Sequence, residues 1–228
     1  HTMPQEQINQ VLLEEAQKGQ RVVRLKGETR FFLEGGEELE LLTVNGIPYE
    51  IVPGVTSSIA VPAYNGIPVT HRDFCSSVHI ITGHRRAGKE YDIDFKALVN
   101  TKGTLVFLMG IAALSDICFG LLEAGMDPAM RGRSPKGNYG RSKEVVATVA
   151  TLKEEVDRQG IETPAIIVVG KDADLQMNLA GMKNFLLQME VLVTRPKGRS
   201  SRTAEELRRR GAEVLELPSI RTVPLEDQ

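Results

Sequence analysis

The chain has 228 residues, of which 41% are hydrophobic, and its 28 basic and 30 acidic side chains give a formal net charge of −2. Charge this close to balance provides no basic surface, so we expect no nucleic-acid partner. No apolar run reaches the roughly 20 residues that a membrane-spanning helix needs. The two cysteines, Cys75 and Cys118, form no CxxC pair. We therefore expect a cytoplasmic protein with reduced thiols and no membrane partner.

Helices and short strands alternate through the first quarter of the chain. Apolar residues at helical spacing between Ile8 and Ala16 predict a helix that Gly19 ends, and a second helix is predicted at 37–45. The runs 21–25 (RVVRL) and 49–52 (YEIV) have the composition of short strands. Such an alternation predicts a parallel sheet covered by helices.

The rest of the chain repeats this alternation after a proline-rich connection that contains a short helix. Residues 131–140 (RGRSPKGNYG) read as a poor strand, because proline and glycine interrupt them without any alternation. The last elements form a β-α-β unit that is too short to bury a core alone. The predicted strands lie at 78–82, 104–108, 165–169, 190–194 and 213–217, and the predicted helices at 95–100, 112–124, about 142–158 and 203–210.

Two predicted strand ends carry candidate ligand-binding residues. Ligands of open α/β sheets bind beyond the carboxyl ends of strands, where turns present backbone N–H groups and hydroxyls. Thr56 and Ser57 lie in such a turn, although either could equally be an ordinary helix cap. Met109 follows the predicted strand 104–108, and its side chain faces either the core or a flat ligand.

A third candidate is the segment Pro68 to Asp73. His71 is a possible acid–base group, and Arg72 could pair with a substrate carboxylate, with Asp73 or with a chain carbonyl. His71, His79 and His84 lack the i,i+4 spacing of a pair of metal-binding histidines, so we expect no metal site.

Several long strings of this sequence resemble one known family. They are HTMPQEQIN at the start, 46–58 (GIPYEIVPGVTSS), 63–74 (AYNGIPVTHRDF), 77–78, 82–84, 104–110 (TLVFLMG) and 163–170 (TPAIIVVG). Together they resemble the uroporphyrinogen-III C-methyltransferases within the tetrapyrrole methylase family, over about residues 1 to 180. Residues 191–196 (VLVTRP), 211–214 (GAEV) and 217–218 are similar to the start of uroporphyrinogen-III synthases.

The resemblance implies an α/β protein with the two-lobed tetrapyrrole methylase fold, its first lobe incomplete, followed by a short β-α-β fragment. The implied domains are a partial N-terminal lobe at 1–52, a connecting segment at 53–75, a C-terminal lobe at 76–175, a linker at 176–189 and the start of a synthase domain at 190–228.

The resemblance also implies an activity. The cofactor would be S-adenosyl-L-methionine, and the substrate uroporphyrinogen III would be methylated at C2 and C7 to precorrin-2, on the way to sirohaem and cobalamin. The family's habit is a homodimer. By analogy with the family, the cofactor pocket includes Gly27, Phe31, Thr56, Ser57, Met109, Pro164 and Ala165, and His71 and Arg72 would contact the substrate.

The chain departs from the family in three places. The family's first strand and its glycine-rich cofactor loop would lie upstream of His1, together with the usual proton-transfer residues. We therefore expect an N-terminally truncated chain and assign no catalytic acid or base. The family's Gly-Gly-Asp-Pro motif reads Gly-Glu-Thr-Arg at 27–30, and 131–140 replaces an apolar strand. Short compensated frameshifts would explain both of these changes.

These departures leave three functional hypotheses. The first is a methyltransferase, whose activity in this fragment the sequence does not decide. The second is a non-catalytic remnant that binds a tetrapyrrole or pairs with a partner subunit. The third is synthase activity of the fused segment.

Overall fold

The computed structural model describes residues 3–25, 36–83, 93–135, 144–174, 189–194 and 202–217. The chain divides into two compact units, His1–Ala60 and Val61–Gln228. None of the described helices is long and apolar enough to cross a membrane. The helices are α1 (Gln5–Gln17), α2 (Gly36–Val44), α3 (Ser57–Tyr64), α4 (Phe95–Thr101), α5 (Leu114–Glu123), α6 (Leu152–Gln159) and α7 (Arg202–Arg209), and the strands are β1 (Val78–Thr82), β2 (Thr104–Leu108), β3 (Arg131–Pro135), β4 (Glu144–Thr148), β5 (Ile167–Val169), β6 (Glu190–Val193) and β7 (Glu213–Glu216).

The first unit contains the two predicted helices, α1 and α2, which pack against each other. A polar contact joins them, because the Gln5 amide donates to the carboxylate of the buried Glu38 at 2.8 Å. The strand predictions at 21–25 and 49–52 are wrong. Neither run belongs to a sheet among the described residues, and their apolar side chains are exposed. Strand propensity alone forms no strand, since the ladder needs a neighbour.

The second unit is built on a five-stranded sheet with the strand order β1-β2-β5-β3-β4. The expectation of a parallel sheet is wrong for most of it. Only β1 and β2 run parallel, whereas β5 pairs antiparallel with both β2 and β3, and β4 pairs antiparallel with β3. The sheet is therefore mixed, as large α/β sheets often are.

The core of this unit lies between the sheet and helices α5 and α6. Strands β2 and β5 are buried throughout, which fits their continuous apolar sequences. Helix α6 buries Leu152 and Val156, four residues apart on one face, and ends at Gly160 in the left-handed conformation (φ +62°). The largest buried side chains that meet here are Leu105, Phe107, Leu114, Ile117, Leu121, Val145, Leu152, Val156 and Ile167.

Strand β3 overturns the interpretation of residues 131–140 as a poor strand. Its residues pair with β4 on one side and β5 on the other, and all but the first are buried. Gly132 leaves room for α6, because a Cβ there would lie 2.7 Å from Leu152 Cδ2. Pro135 is the last residue of the strand, where a missing N–H is tolerated. Residues 136–140 lie outside the described residues.

The interior position of β3 buries polar groups. The Arg133 guanidinium donates to Glu144 on β4 at 3.0 Å and is almost fully buried. Burial raises the pKa of Glu144, and the Arg133 charge opposes this rise. Among the described residues, Arg133 Nε and Ser134 Oγ have no hydrogen-bond partner. This strand therefore carries uncompensated desolvation that an apolar strand would avoid.

The predicted helix at 142–158 is wrong in its first half, where β4 runs from Glu144 to Thr148. Val145 and Ala147 face the core while Val146 is 41% exposed, which is the period-two pattern of a strand with one covered face. The other described elements match their predictions closely. Strands β6 and β7 pair in parallel around α7, which confirms the predicted β-α-β unit.

We predict that Ser134→Ala raises the free energy of unfolding by about 1 kcal/mol, because it removes a buried hydroxyl without a described partner. Thr104→Val is the matched control. The Thr104 hydroxyl is equally buried but donates to Asp172 at 3.2 Å, so its loss should destabilise by about 1 kcal/mol. Urea denaturation of both variants measures the two values, and a Ser134→Ala variant as destabilised as Thr104→Val would contradict the prediction.

The second prediction concerns Cys118 on α5, whose burial raises the pKa of its thiol from 9.0 to about 11. The unfolded thiol ionises first as pH rises, so the folded state holds more protons and its stability falls between pH 9 and about 11. Cys118→Ala lowers the free energy of unfolding by the same amount at every pH, because it leaves a cavity. Its free energy of unfolding should not show the further decrease between pH 9 and about 11, since the variant has no thiol to ionise. Denaturant titrations from pH 8 to 11 should show that the difference in free energy of unfolding between the wild type and the variant becomes smaller as the pH rises. If this difference in free energy of unfolding stays constant over the pH range, the raised pKa of Cys118 is wrong.

Candidate functional site

The carboxyl ends of the parallel strands β1 and β2 form one edge of the sheet, which we call the Met109 edge. The Gly83 N–H donates to the Leu108 carbonyl at 2.7 Å and continues the pairing beyond the strands. A Cβ on Gly83 would lie only 2.6 Å from Gly110 Cα. The two backbones are therefore in close contact, and neither can shift without disturbing the strand that it follows. Close backbone approach beyond the ends of parallel strands is typical of ligand sites in α/β folds.

Met109 lies between these contacts in a left-handed conformation (φ +54°) that is uncommon for any residue other than glycine. Its neighbours hold it there. The Leu108 carbonyl accepts from Gly83, and Gly110 packs so tightly that a Cβ on it would lie 2.8 Å from Ile167 Cδ1. The Met109 residue is therefore turned away from the core and is 40% exposed. Of the two alternatives for Met109, the structure excludes burial in the core.

The antiparallel register of β2 and β5 brings a second predicted pair to the Met109 edge. The pairing of the two strands ends with Phe107 opposite Ile167, so Ala165, two residues before Ile167, lies toward the end of β2 that carries Met109. Ala165 is buried, and Pro164, which follows a cis peptide bond, is exposed. Met109, Pro164 and Ala165 therefore share one edge, although 55 residues of sequence separate Met109 from Pro164.

Thr56 and Ser57 belong to the first unit, at the start of α3. The Thr56 hydroxyl accepts from the Ser58 N–H at 3.3 Å and lies 2.8 Å from Ser58 Oγ, and its carbonyl accepts from Ala60 at 2.9 Å. Thr56 thus caps the helix, as one of its two alternatives predicted. Ser57 is exposed. The other two predicted cofactor residues, Gly27 and Phe31, lie outside the described residues.

His71 and Arg72 lie in a tight turn that we call the 71–75 turn. His71 and Cys75 exchange both backbone hydrogen bonds, at 2.9 and 3.0 Å. His71 Nδ1 accepts a hydrogen bond from the Asp73 N–H at 3.2 Å. The His71 ring packs against the Phe74 ring, with 4.9 Å between the two ring centroids. Arg72 is exposed at the tip and makes no hydrogen bond or ion pair with another described residue. The alternative in which Arg72 pairs with Asp73 is therefore not adopted.

The 71–75 turn and the Met109 edge lie at opposite ends of β2. The Thr104 N–H at the start of β2 donates to the Ser77 carbonyl at 3.0 Å, and the Cys75 sulfur lies 3.1 Å from the Thr104 hydroxyl. Five residues of strand separate Thr104 from Met109, or about 16 Å at 3.3 Å per residue. Three of the predicted cofactor residues, Met109, Pro164 and Ala165, thus lie toward one end of β2. The predicted substrate residues, His71 and Arg72, lie at the other end.

The sequence analysis missed Gly83, Gly110 and Asp172. Gly83 directly follows the predicted strand 78–82 and Gly110 comes two residues after the predicted strand 104–108, so a glycine at both strand ends was a usable signal for close backbone approach. Asp172 gave no signal, because its burial depends on contacts with residues about 70 and 100 positions away. No group of three metal-ligating side chains occurs within the described ranges, and the expectation of no metal stays a prediction.

We predict that Gly83→Ala destabilises the second unit by about 1–3 kcal/mol, because its Cβ would meet the Gly110 backbone rather than a side chain that can move. Gly36→Ala, at the first position of α2, is the control. A Cβ there meets nothing within 4 Å, so we expect a neutral or slightly stabilising effect. Thermal unfolding of both variants tests this, and equal midpoints would show that the contact between Gly83 and Gly110 is not tight.

Comparison with known proteins identifies the family. The model of the tetrapyrrole (corrin/porphyrin) methylases matches residues 1–133. The porphyrin biosynthesis protein HemD of Ruminiclostridium josui is 48% identical over 99% of this chain, but this chain spans only 45% of that protein. The uroporphyrinogen-III C-methyltransferase of Bacillus subtilis (strain 168) is 44% identical over 84% of this chain and 75% of its own length.

A solved structure agrees with these sequence relatives. The uroporphyrin-III C-methyl transferase of Thermus thermophilus, complexed with S-adenyl homocysteine, is 31% identical and covers 74% of each chain with a TM-score of 0.62. The mixed sheet and its flanking helices are therefore the architecture of that structure. On the family match and the similarity to the Bacillus enzyme, the chain belongs to the tetrapyrrole methylases.

Proposed function

We propose that the chain transfers methyl groups from S-adenosyl-L-methionine to uroporphyrinogen III, at C2 and C7, and so forms precorrin-2 for sirohaem and cobalamin. The observation that carries the proposal is the Met109 edge. Met109 is held in a left-handed conformation and is exposed, at the end of β2 toward which Ala165 lies, in a family whose Thermus relative was solved with S-adenyl homocysteine.

The residues at this edge fit the proposed cofactor. The close packing of Gly83 against Gly110 holds the backbone at this edge in place, which is the rigid support that a flat adenine ring needs. The exposed Met109 and Pro164 provide apolar contacts for such a ring, and a polarizable thioether suits a π surface. By the resemblance to the family, Thr56, Ser57, Gly27 and Phe31 are further proposed cofactor-binding residues.

The bound cofactor supplies an electrophilic methyl group on its sulfonium. The work of the chain is positioning, because the electron-rich pyrrole carbon is already a nucleophile and needs only to be held in line. Met109, Pro164 and Ala165 fix the donor at one edge of the sheet. No described residue is assigned as the base that receives the proton from the methylated carbon.

The substrate carries carboxylates on its acetate and propionate arms, and Arg72 is proposed to bind one of them. Its guanidinium is exposed at the tip of the 71–75 turn and has no partner among the described residues, so it can form the bidentate pair that a carboxylate favours. His71 lies beside it and can donate a further hydrogen bond. The chain is proposed to act as a homodimer in the cytoplasm.

A non-catalytic tetrapyrrole-binding or partner-subunit role is the second candidate. It is favoured by the first unit, where the apolar runs 21–25 and 49–52 are exposed and belong to no sheet among the described residues. Residues 190–228 are proposed to be the start of a uroporphyrinogen-III synthase domain. Synthase activity of this fused domain is a third proposal.

Calorimetric titration with S-adenosylhomocysteine tests the cofactor site. We expect micromolar binding by the wild type and about tenfold weaker binding by Met109→Ala, which corresponds to losing roughly 1.4 kcal/mol of apolar contact. Met189→Ala is the matched control, because Met189 is a methionine of similar exposure (50% against 40%) that adjoins the separate β6–β7 sheet. Its affinity should equal that of the wild type.

A methyl-transfer assay with uroporphyrinogen III then separates the candidate functions. Two methyl groups transferred per substrate support the C-methyltransferase. Cofactor binding without transfer supports the non-catalytic role, and no binding at millimolar S-adenosylhomocysteine would refute the proposed cofactor site.

A further inference from the structure

A buried carboxylate lies below the 71–75 turn, and neither the cofactor site nor the core accounts for it. Asp172 follows β5 and has no exposed surface. Its Oδ2 accepts hydrogen bonds from Cys75 Sγ at 2.8 Å and from Thr104 Oγ1 at 3.2 Å. Its Oδ1 has no partner among the described residues, and no described cation pairs with it. Burying a carboxylate in this way is costly, so a purely structural role would be better served by a neutral side chain.

The contacts of Asp172 join the turn to the sheet. Cys75 lies 97 residues before Asp172 in the chain and closes the 71–75 turn through its backbone bonds to His71. Thr104 is the first residue of β2 and contacts both Cys75 and Asp172. Asp172 and Thr104 therefore fix the base of the turn to β2, while Arg72 lies at the tip.

The neighbouring backbone leaves the turn little freedom to shift by itself. Thr104 N–H donates to the Ser77 carbonyl, and a Cβ on Gly103 would lie 2.4 Å from Ser77 Oγ and 2.8 Å from His79 Nε2. The segment that follows Cys75 is thus packed closely against the start of β2. The Cys75 side chain is the link that extends this rigidity back to the base of the turn.

We propose that Asp172 is a positioning residue for the tetrapyrrole substrate: through the Cys75 thiol it holds the 71–75 turn so that Arg72 meets a peripheral carboxylate. The inference rests on the proposed function, in which Arg72 binds that carboxylate. Since about 16 Å of strand separates the turn from the Met109 edge, Arg72 contacts an arm of the substrate rather than the reacting ring. The cluster therefore governs substrate affinity and leaves the methyl-transfer step unchanged.

The test compares steady-state kinetics of the full chain carrying Cys75→Ala, Arg72→Ala or both. Each single variant should raise KM for uroporphyrinogen III about fivefold or more, the size expected for one lost hydrogen bond, with kcat and the affinity for S-adenosylhomocysteine unchanged. The double variant should be no worse than Arg72→Ala, because Cys75 acts only through Arg72. Cys75→Ser should restore KM, since its hydroxyl can donate to the same Asp172 oxygen.

Cys118→Ala is the matched control. This cysteine is buried on α5, away from the turn, so its loss should reduce stability without raising KM. If Cys118→Ala raises KM as much as Cys75→Ala, or if the effects of Cys75→Ala and Arg72→Ala simply add, Asp172 and Cys75 are structural and the inference is wrong.

The same variants separate this inference from the proposed function. Normal KM in both single variants of an active enzyme would overturn the positioning role and leave the methyltransferase intact. If the wild type transfers no methyl group, fluorescence titration with uroporphyrin, the oxidised form of the substrate, replaces the kinetic assay. Equal uroporphyrin affinity in the wild type, Cys75→Ala and Arg72→Ala, or no binding at all, would then overturn the inference.

Discussion

The burial of β2 on both faces and along both edges is the constraint on which the second unit depends. The strand pairs in parallel with β1 and antiparallel with β5, and its five residues are almost inaccessible to solvent. A strand held in this way cannot shift its register without moving apolar side chains out of the core. Its two ends are therefore fixed points. One end carries Met109, and the other carries Thr104 with the polar contacts that reach Cys75 and Asp172.

The second unit also buries several polar groups. Arg133 with Glu144, Ser134 and Asp172 all lie within the sheet or at its edge, and several of their polar atoms have no partner among the described residues. Such groups reduce stability, so each of them calls for a role in binding or specificity that would explain it. For Asp172 a role in holding the 71–75 turn provides that reason. For Ser134 nothing in the structure explains the buried hydroxyl.

Elements whose signal is local were predicted correctly. The apolar strands 78–82 and 104–108 and the helices that start near residues 5, 37 and 95 lie where periodicity and glycine stops placed them. Elements whose formation depends on distant neighbours were not. β3 forms from RGRSP because β4 and β5 provide hydrogen-bond partners on both sides, while 21–25 has better strand composition and pairs with no strand that the structure describes. For the same reason β4 was mistaken for the start of a helix.

The sequence by itself determined the family, the α/β class and the identity of the candidate residues, because long matched strings and local hydrophobic patterns do not depend on the tertiary arrangement. Only the tertiary structure decided which of those residues meet. It brought Ala165 toward the Met109 end of β2 through an antiparallel register, and it placed His71 and Arg72 at the other end of β2. It also buried Asp172 beneath Cys75. Strand order and register are set by packing between residues far apart in the chain, and no local pattern records them.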